Sequence, residues 1–148
     1  MTVFVSHFGL ANGEKKNAVA TLLKALKDVK GNVIFMGDLN MEPDCPILAP
    51  VFEALKDTSA ILPEHPLTFA WYKPELRIDY IFTSENIKTL SAQSPYETTS
   101  DHQPYIAELE LQEPSSHCFI RKLHEKCPKK GFFASLGRFL RKIFCAGK

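Results

Sequence analysis

The sequence has few cysteines, and they do not form the patterns that define a disulfide scaffold or a standard zinc module. It contains only four cysteines, and they are irregularly spaced: Cys45, Cys118, Cys127 and Cys145. Disulfide-rich domains and zinc knuckles both need closely ordered cysteines, often as a C-x2-C pair, so we expect reduced thiols. A zinc site built from the histidines and cysteines of the C-terminal region is the lesser alternative.

No part of the sequence is organised for crossing a membrane. No apolar run approaches about 18 residues, the shortest length typical of a membrane-spanning helix. The first residues, Met-Thr-Val-Phe-Val-Ser-His, lack the basic segment and long apolar stretch of a secretion signal. We therefore expect a cytoplasmic protein that does not span a membrane.

Acidic residues are almost absent from the C-terminal part of the chain. Residues 115–148 carry nine Lys and Arg but one acid, Glu125, whereas residues 1–114 carry nine Lys and Arg against 16 Asp and Glu. Residues 131–145 also place aromatic and aliphatic side chains at helical spacing, with basic residues between them. We predict an acidic domain over residues 1–112 and a basic tail over residues 113–148 with an amphipathic helix.

Three interpretations of this basic helix stay open. It would dock on apolar surface of the acidic domain, lie on an anionic membrane surface, or bind nucleic acid through its charge. Docking within the chain is the simplest of the three, and a weak membrane-surface contact comes next.

Periodic patterns predict a mixed α/β domain that begins with a strand-helix-strand unit. Strands are predicted over residues 2–6 and 33–36, and between them an amphipathic helix begins at the cap residue Asn12 and stops before Gly31. A second, short helix is expected over residues 47–55. Further strands are predicted over residues 77–83, 87–92 and 104–111.

Polar residues gather at four points where predicted strands end or begin. The segments are Ser6-His7-Phe8-Gly9, Gly37-Asp38-Leu39-Asn40, Arg77-Ile78-Asp79-Tyr80-Ile81-Phe82 and Ser100-Asp101-His102-Gln103-Pro104. In open α/β sheets, functional side chains collect at such points because a rigid sheet holds them at the rim of a pocket. These four segments therefore contain the candidate site.

The second segment has a chemical logic of its own. Gly37 permits a tight turn off a buried strand, Asp38 offers an anionic oxygen for a hard cation or a proton, and Asn40 offers a donor for a phosphate oxygen. An Asp followed two residues later by Asn is equally typical of an Asx turn. The segment alone leaves both interpretations open.

Asp79 is unusual because it lies within an otherwise apolar strand. A buried carboxylate needs a cationic or hydrogen-bonding partner, which favours either a salt bridge with Arg77 or acceptance of a histidine N–H. His102 is the candidate histidine, and in an extended segment the adjacent Asp101 would point the other way. Neither His102 nor His7 is informative alone, because isolated histidines are often surface or cap residues.

Together, the four segments resemble the endonuclease/exonuclease/phosphatase (deoxyribonuclease-I-like) superfamily, over residues 3 to about 111. The resemblance is to the C-terminal half of that fold. It implies half of a four-layered α/β/β/α sandwich, with one mostly antiparallel sheet flanked by helices. It also implies a Mg²⁺ or Mn²⁺ ion and attack of water on a phosphoester.

The resemblance also implies a role for each site residue. Asp38 would position or deprotonate the attacking water and contact the metal, and Asn40 would bind the phosphate. His102 would hydrogen-bond the phosphate, with Asp79 orienting its imidazole. The remaining two have looser roles: Asp101 near the metal, and His7 at a phosphate oxygen or the leaving group.

The chain departs from this family in its length. Family members are about twice as long, and their N-terminal half carries an Asn and the Glu that is the principal metal ligand. We therefore expect a truncated chain that self-associates or pairs with a missing N-terminal half, and a catalytically incomplete interaction or membrane-surface module is the alternative. Trp71 is a candidate for substrate stacking or for packing. The substrate, whether DNA, RNA, inositol phosphate or lipid phosphodiester, is not selected by the sequence.

Overall fold

A computed structural model of the protein describes residues 1–70 and 73–111. The predictions for Trp71 and for the basic tail over residues 113–148 lie outside these residues. The described elements are β1 (Thr2–His7), α1 (Asn12–Asp28), β2 (Val33–Asp38), α2 (Ala49–Ala54), β3 (Lys56–Asp57), a 3₁₀ turn (Thr58–Ile61), β4 (Asp79–Thr83), β5 (Ile87–Gln93) and β6 (Ile106–Leu111). All seven predicted strands and helices of the α/β domain, five strands and two helices, are present, with small shifts at their ends.

The main sheet has four strands in the order β1-β2-β4-β3. β1 and β2 are parallel, while β4 is antiparallel to both β2 and β3. β5 and β6 form a separate antiparallel pair, with an irregularity between Thr89 and Ser91. The described fold is therefore mixed α/β with a mostly antiparallel main sheet, as predicted.

The helix α1 starts one residue away from the predicted cap. Ala11 is the cap residue and Asn12 is already helical, so the prediction of Asn12 as cap was wrong. The carboxylate of Glu14 accepts the Ala11 backbone N–H at 3.2 Å. The side chain of Glu14, three residues into the helix, therefore makes the capping contact at this end. The helix ends at Asp28, and Gly31 follows with a φ of 97°.

Both helices pack on one face of the main sheet. Aromatic side chains of adjacent strands dominate this face: Phe35 and Phe82 lie with ring centroids 6.0 Å apart, and Tyr80 and Phe82 with centroids 5.3 Å apart. Val19 of α1 and Val51 of α2 belong to the same buried cluster. Burial of each such side chain stabilises the fold by about 1.5 to 3 kcal/mol, so this face anchors the sheet.

The opposite face of the sheet changes character along its strands. Its register aligns Val3 with Ile34 and Val5 with Met36, so one end is apolar, and Val3 and Val5 are 47% and 73% exposed. One row further on, His7, Asp38 and Asp79 are aligned. No helix in the described part of the chain is long and apolar enough to cross a membrane.

Candidate active site

The polar row at the end of the sheet brings three predicted site residues together. His7 is the last residue of β1 and lies opposite Asp38, the last residue of β2, while Asp38 lies opposite Asp79, the first residue of β4. Residues that are directly opposite on neighbouring strands project from the same face. Sheet register alone therefore places these side chains side by side.

Gly37 allows the two strands to approach closely just before this row. Its φ is 142°, and a Cβ at this position would overlap the carbonyl oxygen of Ser6 on β1. Only glycine combines that backbone conformation with that approach. The glycine that the sequence pattern singled out is thus required for the pairing that aligns His7 with Asp38.

Asp38 uses its two carboxylate oxygens differently. Oδ1 accepts the Asn40 backbone N–H at 2.8 Å, which is the Asx turn considered from the sequence. Oδ2 lies 3.3 Å from His7 Nε2 and 3.8 Å from His102 Nε2. The Asx turn is therefore confirmed, and it fixes the carboxylate with Oδ2 facing two imidazoles, so the turn leaves this oxygen available for a functional role.

Asp79 pairs with His102 across 23 residues of sequence. Its Oδ2 is 2.8 Å from His102 Nδ1, and the two side chains are 21% and 31% exposed. A carboxylate only accepts, so Nδ1 donates and Nε2 is directed toward the cluster. The alternative partner, Arg77, instead binds both oxygens of Asp57 at 2.7 Å.

Asn40 has a positive φ of 51°, which Asn tolerates better than most residues. Its Nδ2 donates to the carbonyl oxygen of Phe8 at 2.7 Å, and the Phe8 backbone N–H donates to the carbonyl of Asp38 at 2.9 Å. One amide hydrogen of Asn40 thus ties this loop to the end of β1. The second amide hydrogen is the group it can offer to a ligand.

Asp101 is the predicted site residue that the described structure does not bring into this cluster. Asp101 is exposed, and its side chain lies 3.4 Å from the hydroxyl of Ser100. Trp71 lies outside the described residues. The cluster of the described residues therefore consists of His7, Asp38, Asn40, Asp79 and His102.

The cluster offers a partial ligand set for a divalent metal. Asp38, Asp79 and His102 each present one donor atom, and these atoms lie within 4.8 Å of one another. Mg²⁺ prefers about six oxygen ligands, several of them water. His102 Nδ1 is already engaged by Asp79, so the carboxylates of Asp38 and Asp79 are the donors that suit a hard cation.

Sequence reasoning missed the buried residues that support the cluster. Tyr80 donates its hydroxyl to the carbonyls of Met41 and Arg77, at 2.8 and 3.2 Å, which ties the loop after β2 to the start of β4. Burial raises the pKa of Tyr80, and the Arg77 guanidinium 4.5 Å from its ring opposes that shift. An Arg-x-x-Tyr pattern entering an apolar strand was the signal that could have indicated this contact.

The chain matches a known protein family. Residues 4–102 match the Endonuclease/Exonuclease/phosphatase family, and the chain belongs to that family. The matched segment contains all five residues of the cluster. No functionally curated protein is significantly similar to the chain.

Solved structures share the fold at low sequence identity. An endonuclease/exonuclease/phosphatase from Bacteroides vulgatus is 20% identical, with a TM-score of 0.64 over 72% of this chain and 48% of its own. A mannosyl-6-phosphatase from Bacteroides thetaiotaomicron is 21% identical, with a TM-score of 0.58 over 74% and 51%. The human Nocturnin catalytic domain with bound sulfate is 19% identical, with a TM-score of 0.57 over 73% and 46%. The chain spans about half the length of these structures.

Proposed function

We propose that this chain carries the phosphate-handling part of a divalent-metal-dependent phosphoester hydrolase, acting as a phosphodiesterase, nuclease or phosphatase. The single observation that supports this most is that Asp38 Oδ2 lies 3.3 Å from His7 Nε2 and 3.8 Å from His102 Nε2. A carboxylate base beside two imidazoles, each a donor through Nε2 in its imidazolium form, suits water attack on an anionic phosphate. Family membership supports the same reaction class.

The proposed reaction is a displacement at phosphorus. A water oxygen forms a new bond to phosphorus as the bond to the leaving oxygen breaks. The water proton passes to Asp38, and the leaving oxygen takes a proton from His7. Asn40 and, in its imidazolium form, the Nε2–H of His102 donate to the phosphate oxygens. Asp79 accepts the His102 Nδ1–H and orients the ring, so negative charge that develops on the phosphate meets donors already in place.

Mg²⁺ or Mn²⁺ would be held by Asp38 and Asp79. A contribution from Asp101 would require its exposed side chain to turn from Ser100 toward the cluster. When bound, the ion supplies positive charge that offsets the charge of the phosphate. Two or three carboxylates make up only part of an octahedral set. We propose that the remaining protein ligand comes from a missing N-terminal half, in keeping with the half-length match to the solved structures.

Hydrolysis of bis-p-nitrophenyl phosphate and p-nitrophenyl phosphate in Mg²⁺ or Mn²⁺ tests the proposal. We expect the Asp38→Ala variant to lose about 10² to 10⁴ of the rate, because general-base groups contribute that much. Asp44→Ala is the matched control, since Asp44 is an exposed acid on the same loop. Equal rates for wild type and both variants would overturn the proposal.

A second candidate function is that of an interaction module, which has the fold of the family but does not hydrolyse a substrate. The exposed Val3 and Val5 on β1, which pairs on one side only among the described strands, favour it. If the chain has this role, sedimentation equilibrium should show self-association, and Val5→Lys should weaken the dimer. A monomer with full hydrolytic activity would rule it out.

The basic tail adds a proposed contact with membrane surfaces. The net positive charge and amphipathic pattern of its sequence suit anionic lipid. Sedimentation with anionic vesicles, with and without residues 115–148, tests it. Equal binding by both forms would remove the membrane contact.

A further inference from the structure

Thr68, in the loop before β4, contacts both sides of the Asp79–His102 pair. It is fully buried, and its Oγ1 accepts the backbone N–H groups of Ile78 and Asp79, each at 3.2 Å. Its carbonyl accepts the backbone N–H of Gln103 at 2.7 Å. One residue therefore fixes the backbone of Asp79 and the backbone directly after His102.

The two residues after Thr68 hold His102 from other directions. The Phe69 ring lies 4.8 Å from the His102 ring, centroid to centroid, at an angle of 57°. The backbone N–H of Ala70 donates to the carbonyl of Asp101 at 3.2 Å. We refer to residues 68–70 as the clamp, because they hold His102 through its ring and through the backbone on both sides.

Ala70 has an unusual backbone conformation within the clamp. Its φ is 143°, a region that residues with a Cβ rarely adopt. Such a conformation persists only when the surrounding structure holds it, and it is found most often near functional sites. The strained residue lies beside the loop that carries His102, where accurate placement of the imidazole would serve the proposed function.

The loop that carries His102 is also organised from within. Gln103 is 3% exposed, and its side chain accepts the Glu97 N–H at 2.6 Å and donates to the Glu97 carbonyl at 3.0 Å. This pair closes the loop over residues 97–103. Because the loop is closed on itself, its contact with the clamp determines where it sits relative to Asp79.

We propose that Thr68 is a positioning residue that sets the distance between the Asp79 carboxylate and the His102 imidazole. This inference rests on the proposed function, in which His102 hydrogen-bonds the phosphate. Displacement of a catalytic group by about 1 Å lowers rates by about a hundredfold. Thr68 opposes such a displacement because its hydroxyl holds the Asp79 backbone and its carbonyl holds the Gln103 backbone, next to His102.

Two matched Thr→Val substitutions test Thr68. Thr68→Val removes the Oγ1 acceptor with little change in shape, and we expect kcat to fall about tenfold to a hundredfold with KM nearly unchanged. Thr83→Val is the control, because Thr83 is equally buried on β4 and its hydroxyl has no partner among the described residues. Thr68→Ser keeps the acceptor and should restore most of the rate.

Imidazole NMR supplies a measurement that does not depend on turnover. The wild-type His102 Nδ1–H proton should resonate at low field because it donates to Asp79, and Thr68→Val should shift or broaden this signal. Thr83→Val should leave it in place. In the wild-type protein, the amide protons of Asp79 and Gln103 should also exchange slowly, since Thr68 accepts both.

The outcomes separate this inference from the proposed function. A folded Thr68→Val protein with an unchanged His102 signal and unchanged kcat overturns the role of Thr68. If Thr68→Val does not fold, amide exchange decides: rapid exchange of Asp79 and Gln103 in the wild type also overturns it. If the protein hydrolyses neither nitrophenyl ester but shows the expected NMR changes, the positioning role of Thr68 is supported and the proposed hydrolase function is overturned.

Discussion

Two acid-base pairs near the start of β4 have similar geometry and different surroundings. Arg77 and Asp57 meet at 2.7 Å with side chains 2% and 8% exposed, while His102 and Asp79 meet at 2.8 Å with side chains 31% and 21% exposed. A fully buried ion pair is shielded from ligands, so its role is to stabilise the fold. The half-open pair keeps one imidazole nitrogen accessible, so it can act on a substrate. Burial, more than distance, distinguishes the structural pair from the candidate catalytic pair.

Removal of one member of the buried pair should have the largest effect on stability. Asp57→Ala leaves the Arg77 guanidinium buried without its partner, which costs about 3 to 5 kcal/mol of unfolding free energy. Urea denaturation followed by circular dichroism measures this loss. Asp44→Ala, which removes an exposed acid, should change stability by less than about 0.5 kcal/mol. Similar midpoints for the two variants would contradict the structural role of the buried pair.

The half-open pair should show the reverse behaviour. Asp79→Asn keeps the shape but offers His102 a weaker acceptor and permits the wrong tautomer, so we expect kcat to fall about tenfold to a hundredfold. Its urea midpoint should stay close to that of the wild type, because both side chains are partly solvated. A large loss of stability with an unchanged kcat would erase the contrast between the two pairs.

Gly37 tests whether the polar row depends on backbone approach. Gly37→Ala places a Cβ against the Ser6 carbonyl in an unfavourable φ region, which we expect to cost about 1 to 3 kcal/mol. Gly13→Ala is a suitable control, since Gly13 lies in α1 with open space around it, and alanine there should be neutral or stabilising. Thermal unfolding compares them, and equal melting temperatures would show that β1 and β2 tolerate separation.

Tyr80, which packs on Arg77, should give the smallest effect, and it appears at alkaline pH. Burial raises the pKa of Tyr80 above its ordinary value of 10.0, so the unfolded chain releases this proton first. The folded protein should therefore lose stability as the pH rises above about 10. Tyr80→Phe should flatten that loss while costing about 1 kcal/mol at neutral pH. An unchanged pH dependence in urea titrations would contradict the burial of the hydroxyl.

Local pattern was sufficient to locate the elements and the row of candidate residues. Alternation and helical spacing predicted the strands and α1 because they depend on neighbours within a few positions. The partner of Asp79 was among the alternatives considered, and the structure shows His102 in that place. The segments around Asp38 and His102 were identifiable because polar residues gather there where predicted strands end or begin.

Pairings between distant polar groups were not predictable in the same way. Asp57 lies 20 residues before Arg77 in an ordinary-looking segment, and nothing local marks it as the partner. Thr68 also lies within a loop, where a threonine is unremarkable, yet its hydroxyl is satisfied by amides ten and eleven residues away. Such contacts depend on how segments meet in space, which periodicity does not encode.

The most direct test of the central claim is paramagnetic broadening of the histidine imidazole signals by Mn²⁺. If Asp38, Asp79, His7 and His102 surround one cation site, substoichiometric Mn²⁺ should broaden the signals of His7 and His102. His65, whose Nδ1 contacts Ser59, should stay sharp. Asp38→Ala should abolish the selective broadening. Equal broadening of His65, or none at His7 and His102, would contradict a common metal and phosphate site.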